Sequence, residues 1–364
     1  MAETFALDSL VLPGTYVQVR AEALIAGAAV STGNIGIVGT ASAVPADTEI
    51  LSGYDDALNA FGAYDAFADG AGTQNLTRAL EIAYRNGAGV VFARAVADGA
   101  GQDVFSAAFE QLLKDDVNIL VAPQLSTDDA LSVLKPILEE AENNGKDLIA
   151  VIGSDADAVV DITAQADAVG DIRGRVILVA PGMHAFDSAT KADVVLPGTY
   201  SAVAVAGLLS TLVPQSSPTN KTLPGVQKLS QRFTYGEEKT LVGHPAGVLV
   251  LDQAAGVRIV RGVSADQGAF KQITTRRITD YAKAGMRAVS NPFIGKLNNA
   301  RVRKALNGAI NGFLSAMVAD EAMISYELSV TATRADEIAG RAIVNAILRP
   351  TFSIDFVAVT LTLE

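Results

Sequence analysis

VNILVAPQLSTDDALSVLKPILEEAENNGKDLIAVIG, residues 117–153, reads as strand, helix, strand. Its two ends, VNILVAP (117–123) and DLIAVIG (147–153), are short apolar runs rich in β-branched residues. A run without polar alternation is covered on both faces, as in a parallel sheet between helix layers. The middle opens as a helix at Thr127 and Asp128. Pro136 is expected to bend or restart it, because proline has no N–H to donate and its ring crowds the preceding turn. Similar runs recur on either side: IGIVGTA (35–41), GVVFARAV (89–96) and RVILVAPG (175–182). Between the first two, Asn75 can cap a helix whose Leu76, Leu80, Ala83 and Tyr84 share a face, with Gly87 ending it. Strands alternating with helices from about 30 to 213 predict a doubly wound α/β domain.

The texture changes after residue 214. SSPTNKTLPG (216–225) is loop chemistry, and GVLVLDQAAGVRIVRGV (247–263) reads as a β-hairpin. Two helices follow, the second with Val302, Leu306, Ile310, Phe313, Leu314 and Met317 on one stripe. A strand near 324–333 and a helix near 334–347 lead to FSIDFVAVTLTL (352–363), which reads as a long terminal strand. Its apolar phase switches: Phe352, Ile354 and Phe356 are even, while Val357, Val359, Leu361 and Leu363 are odd. Successive side chains point to opposite faces, so the switch implies a bulge or two halves with different surroundings. Such a strand either joins a neighbouring chain or forms an edge of its own sheet. At the other end, Pro13 and Gly14 signal a turn before a strand-like piece, residues 15–19, with Val17 and Val19 on one face. The expected organisation is an N-terminal arm (1–20), an outer α/β domain (21–213), an inner α+β domain (214–349) and a C-terminal strand arm (350–364).

Composition narrows the functions. The 364 residues include no cysteine, which removes disulfides and thiolate metal sites. A net charge of −12 argues against nucleic acid as a direct partner. The most apolar region, 194–213, is broken by Pro197 and Gly198 and is too short to span a bilayer, so no membrane insertion is expected. MAETFALDSLVLPG lacks the basic start and apolar core of a secretion signal, which points to synthesis in a reducing cytoplasm.

Enzyme signatures are poor. Gly33, Gly36 and Gly39 have GxxGxxG spacing and lie in the first strand rather than after it, so close packing explains them better than dinucleotide binding. His184 and His244 are isolated beside Gly or Pro and suit surface turns better than a metal cage. Asp155, Asp157 and Asp161 form an acidic cluster, but Asp155 and Asp157 would sit at a helix N-terminus, where anions are favoured anyway. No catalytic, cofactor-binding or metal-binding set is assigned. One charge feature stands out. From Lys271 to Lys304, nine basic residues face the single acid Asp280, a local +8 in an acidic chain. The stretch is either a cationic face or a helix balanced by acids folded nearby.

Several segments together resemble the sheath protein of contractile bacteriophage tails and related R-type bacteriocins. They are LPGTYVQV, STGNIGIVGTA, NLTRALEIAYRNGAGVVFARAV, SSPTNKTLPGVQKL, the helical stretch RRITDYAKAGMRAVSNPFIGKLNNARVRKALNGAINGFL and the closing ILRPTFSIDFVAVTLTLE. The resemblance implies a structural subunit without enzymatic activity or cofactor. It implies stacked hexameric rings in a helical homopolymer around an inner tube, contracting to drive that tube through a cell envelope. The partners would be other copies, the tail tube, the baseplate and the tail terminator, on a phage tail or bacteriocin particle. The arms would pair with neighbours through Pro13, Gly14, Tyr16, Val17 and Val19 at one end. At the other end Phe356, Val357, Val359, Leu361 and Leu363 would do so. Arg276, Arg277, Lys283, Arg287 and Lys296 would line the inner wall against an acidic tube. The competing classes are a nucleotide-dependent α/β enzyme, with a ligand crevice at the strand ends, and a non-contractile tube or shell protein.

Overall fold

The five apolar runs become neighbouring strands of one sheet in the computed structural model, which describes residues 30–65, 73–170 and 172–363. They are β1 (Ile35–Thr40), β3 (Val91–Val96), β4 (Ile119–Val121), β5 (Ile149–Gly153) and β6 (Val176–Ala180), with the short β2 (Glu49–Leu51) between the first two. Strands β7 (Met183–Asp187), β8 (Ala192–Leu196) and β9 (Lys228–Leu229) form a separate antiparallel sheet. Strands β10 (Leu249–Ala254) and β11 (Gly256–Ile259) are the expected hairpin. That hairpin belongs to the main sheet, whose order is β11-β10-β6-β5-β4-β1-β3-β2. The sheet is parallel from β3 to β10, with antiparallel edges β2 and β11. The α/β layer therefore runs past the boundary expected at 213.

Alternate residues of each central strand feed two cores, as a parallel sheet covered on both faces requires. Ile35, Ile37, Ile119, Val121, Ile149, Val151, Ile177 and Val179 face one side. Helices α1 (Tyr54–Phe61) and α2 (Leu76–Arg85) cover that side. Val38, Leu120, Ala150, Ile152, Val176 and Leu178 face the other. There they meet α3 (Gln102–Leu112), α4 (Thr127–Asn143) and α5 (Val159–Val169). Helix α6 (Gly198–Thr211) returns to the first face and α7 (Tyr235–Gly243) to the second. The apolar region at 194–213 is thus the end of β8 plus a helix sunk against the sheet. Its close approach needs glycine, since a Cβ at Gly198 would lie 2.2 Å from the Ser154 carbonyl oxygen. Among the described residues no helix is long and apolar enough to cross a membrane.

One local expectation narrows and another fails. Pro136 lies inside α4 without ending it. The buried stripe Leu131, Leu134, Ile137, Leu138 and Ala141 outweighs the one lost backbone bond. The helix expected at 334–347 is only α10 (Arg334–Ile338), following α8 (Ile273–Ser290), α9 (Ala300–Ala319) and β12 (Met323–Thr331). Thr333 and Asp336 form its capping box, and Gly340 at φ 69° ends it. The β-branched residues beyond make β13 (Ile343–Pro350), which pairs antiparallel with β12.

Helices α8 and α9 with β12 and β13 enclose a third core of their own. Its centre is Ile278, Ala282, Ile310, Leu314 and Met317. From the expected α9 stripe, Leu306, Ile310, Leu314 and Met317 are buried, while Val302 and Phe313 are half-buried. Gly285 lets α8 meet α9 closely, because a Cβ there would fall 1.9 Å from the Phe313 ring.

Candidate assembly surface

The β12–β13 hairpin is incomplete as a sheet. Tyr326, Leu328, Val330 and Leu348 point to the third core yet are only half-buried. Glu327 and Ile347 pair across the outward face. Among the described residues, neither outer edge has a strand partner. A two-stranded ribbon with a half-covered inner face gains from a third strand, which would satisfy edge N–H and C=O groups and finish covering the core.

The terminal segment is the available strand. Among the described residues, 351–363 join no ladder, so the segment is not an edge strand of either sheet described near it. Its first half is tied down on one face. Gln272, the N-cap of α8, exchanges hydrogen bonds with the Ser353 backbone at 3.2 and 3.4 Å. Arg261 donates from Nε to Asp355 at 2.8 Å, and Gln272 Nε2 donates to the same carboxylate at 3.2 Å. Thr219 Oγ1 donates to the other carboxylate oxygen at 3.5 Å. The Arg261 guanidinium lies 5.1 Å from the Phe356 ring centroid. The opposite face looks outward: Phe352, Ile354 and Phe356 are 61%, 82% and 79% exposed. From Val357 onward the large apolar side chains are all at least 75% exposed. Composition and motif reading missed Thr219, Arg261 and Gln272; the available signal was Asp355, a lone charge in an apolar run.

The N-terminal positions Pro13, Gly14, Tyr16, Val17 and Val19 lie outside the described residues.

The basic stretch divides. Arg276 and Arg277 are buried, at 2% and 6% exposure, which corrects their expected place on an open cationic face. Arg276 pairs with Asp280 one turn along α8, and Arg277 donates to the carbonyls of Thr32 and Leu212. Burial without a carboxylate partner pushes the Arg277 guanidinium down to about 10. Lys283 reaches Asp147 and Glu142, and Arg287 reaches Asp147 at 2.8 Å. Arg175 closes the network, touching Glu142 and Asp147 at 3.0 Å and Asp280 at 3.4 Å. The hydrogen bond from Arg175 holds the Glu142 carboxyl down at about 2, despite opposing burial. Burial pushes Asp147 up, but Lys283 and Arg287 outweigh it and hold the carboxyl low. These charges join α8 to the α/β layer. Lys296, Arg301 and Lys304 remain exposed and make no ion pair among the described residues; Lys296 lies over the Phe293 ring.

The crevice expected of an α/β enzyme falls where β1 and β4 diverge. Gln124 lies there, donating to Thr40 Oγ1 at 2.6 Å and to the Gln74 carbonyl at 3.0 Å. A Cβ at Gly39 would strike Gln124, and one at Gly36 would strike Val117, so these glycines serve packing. His184 lies in β7 and His244 caps α7 near Asp167. Asp155 accepts from Thr127 and Gln165, tying the start of α4 to α5. Among the described residues no acidic or histidine group is arranged to hold a metal.

Comparison with known proteins agrees with this geometry. Residues 265–364 match the family model described as the phage tail sheath C-terminal domain. The chain is similar in fold to the helical sheath of the anti-feeding prophage in its contracted state (TM-score 0.74, 18% identity, covering 98% of this chain and 100% of that one). It is similar to a sheath complex of an extracellular contractile injection system, PVC, also contracted (0.74, 16%, 98% of each chain). The sheath tail protein from Desulfitobacterium hafniense is a further relative in fold (0.65, 13%, 93% and 100%). No curated protein matches the sequence. The chain has the fold of contractile tail sheath proteins.

Proposed function

We propose, for a chain whose last hundred residues match a phage tail sheath domain, that it is a passive subunit of a contractile sheath. Copies polymerise as stacked hexameric rings around an inner tube, and shortening of the lattice drives the tube through a target envelope. The observation that carries this reading is the pairing of an open-edged hairpin with an exposed apolar segment in the same protomer. A segment of one copy can complete the hairpin of another, and such head-to-tail contacts propagate as a helix. Each added strand gains roughly 0.5–1.5 kcal/mol per backbone bond, plus apolar burial. The gain is modest singly and large when repeated through a lattice.

The N-terminal residues Pro13, Gly14, Tyr16, Val17 and Val19 would supply a second added strand. Lys296, Arg301 and Lys304 would meet an acidic tube surface, since they are the cations of the basic stretch left exposed and without an ion pair. The baseplate and a tail terminator would bind the ends of the polymer, on a phage tail or a bacteriocin-like particle. Negative-stain microscopy of the purified chain tests the reading: ridged helical sheaths are expected. Globular particles or smooth tubes would overturn it. Deletion of residues 354–364 should leave a folded protomer that no longer polymerises; normal sheaths from that deletion would remove the terminal segment from the assembly.

A further inference from the structure

The terminal segment is held on one side and open on the other, and this division has a cause in its sequence. The Ser353 backbone and the Asp355 carboxylate are held against the protomer, while Phe352 and Ile354 point away and Phe356 stays exposed with its ring beside Arg261. A carboxylate in an apolar strand is costly to bury unless its charge and lone pairs are met. Asp355 is 6% exposed, and Arg261, Gln272 and Thr219 meet it. Beyond Phe356 the apolar phase reverses. No hydrogen bond or ion pair is found between residues 357–363 and the rest of the described protomer. One straight strand cannot place both phases on the same face of a sheet. Two halves with different owners can.

We propose that Arg261, Gln272 and Thr219 are positioning residues that clamp Asp355 and divide the segment between Phe356 and Val357. Residues 351–356 stay with the protomer that makes them, and only the residues from 357 onward pass to a neighbour. The boundary serves as the pivot about which protomers turn while the added strand stays paired. Val357, Val359, Leu361 and Leu363 then form the face that covers the open side of another copy's hairpin. This rests on the sheath reading and adds where each copy ends and the next begins.

The chain contains no cysteine, so introduced thiols report without background. The variant Lys271→Cys, Ser353→Cys leaves Arg261, Gln272, Thr219 and Asp355 in place and puts its thiols beside the Gln272–Ser353 contact. Treated with a short bismaleimide after sheath assembly, it should be linked within single chains and run as a monomer on a denaturing gel. Links between chains would overturn the division, because residue 353 would then sit on a neighbour. Failure to link in either polymer or free protomer would overturn the clamp. Asp355→Ala should release the first half and roughly double the free tether. Effective concentration falls as about the −3/2 power of tether length, so the assembly threshold should rise about two- to threefold. An unchanged threshold counts against the clamp. Deleting residues 357–364 separates the two levels of the argument. If that deletion still polymerises, the lent-strand reading falls; if it does not, and links form between chains in the full-length polymer, only the division falls. The near-isosteric Asp355→Asn, with its fold checked by circular dichroism, should raise the threshold less than Asp355→Ala. An equal or larger rise would assign the effect to something other than the clamp.

Discussion

Removing the Asp147 carboxylate should loosen α8 from the α/β layer more than any exposed ion pair could. Asp147 is 3% exposed and accepts from Arg175 at 3.0 Å, Lys283 at 2.5 Å and Arg287 at 2.8 Å. Breaking a buried pair costs about 3–5 kcal/mol when the remaining charge is stranded. Here the stranding is partial. Arg175 keeps Glu142, the Leu148 carbonyl and Asp280, and Lys283 keeps Glu142 at 3.4 Å. Arg287 loses its one carboxylate contact among the described residues but its side chain is 42% exposed and can be hydrated. The net cost of Asp147→Ala should therefore be about 2–4 kcal/mol. At about 2–4 °C per kcal/mol in a chain of this order of size, the melting temperature should fall by roughly 4–16 °C. Amide exchange at 273–290 should speed by a similar free energy if α8 opens before the sheet. Glu327→Gln is the control, since its pair with Arg349 is 66% and 65% exposed and worth about 0–1 kcal/mol. Equal, small effects of the two substitutions would refute the view that this network joins the units.

Acid should act on the same joint. The folded Glu142 value, about 2, lies below the ordinary 4.5, and Asp147 is likewise held low. Their stabilisation is complete above the unfolded values and fades as pH falls from about 4.5 toward 2. Burial pushes Asp280 the other way despite Arg276 and Arg175, which blunts the loss. Exchange protection of α8, corrected for intrinsic chemistry, should decline through that window; a flat profile would count against these assignments. Gly285→Ala should cost about 1–2 kcal/mol by crowding Phe313, and Phe313→Leu should relieve it, leaving the roughly 1 kcal/mol helix gain of alanine. Thermal melts of the four-member cycle decide this, and simple additivity would mean that the two residues do not touch. Glutamate at Lys296, Arg301 and Lys304 should weaken co-assembly with an acidic tube, most strongly at low salt, with the fold intact. Unchanged co-assembly would place those residues elsewhere.

The main sheet was legible because its strands are uniformly apolar and its helices carry local punctuation. Asn75 does accept from the Arg78 amide, and Gly87 does take positive φ, as their types suggested. Pro136 does not restart its helix, because the packed stripe around it outweighs one missing bond. The 334–347 segment misled because its early capping signals are helical while the rest is strand, and Gly340 makes the change within a few residues. The cationic stretch misled most, since charge counted along a sequence says nothing about the acids brought against it. Glu142 and Asp147 lie more than a hundred residues before Lys283 and Arg287 and meet them only after folding. The alternative of balancing acids holds for Arg276, Lys283 and Arg287, while Lys296 is simply exposed.

Under the proposed sheath reading, these observations bear on where the lattice would yield. A protomer that transmits force should not bend within itself, and the chain invests buried charge where bending would start. Arg175, Lys283 and Arg287 converge on Asp147 between α8 and the α/β layer. Such a network is a weak source of net stability, because desolvation offsets much of the attraction. It does impose a specific orientation, since any rotation of α8 strands several charges together. Residues 357–363 have the opposite character: apolar, exposed and without described polar contacts to their own body. A strand added through backbone bonds holds its register while the chain beyond the sheet edge stays free to turn. Under the proposed assembly, stiffness inside the copy and compliance between copies would come from different chemistry, buried ion pairs in one place and a borrowed ladder in the other. A substitution that weakens the ion-pair network should therefore blur the protomer without dissolving the polymer, and loss of the terminal strand should do the reverse.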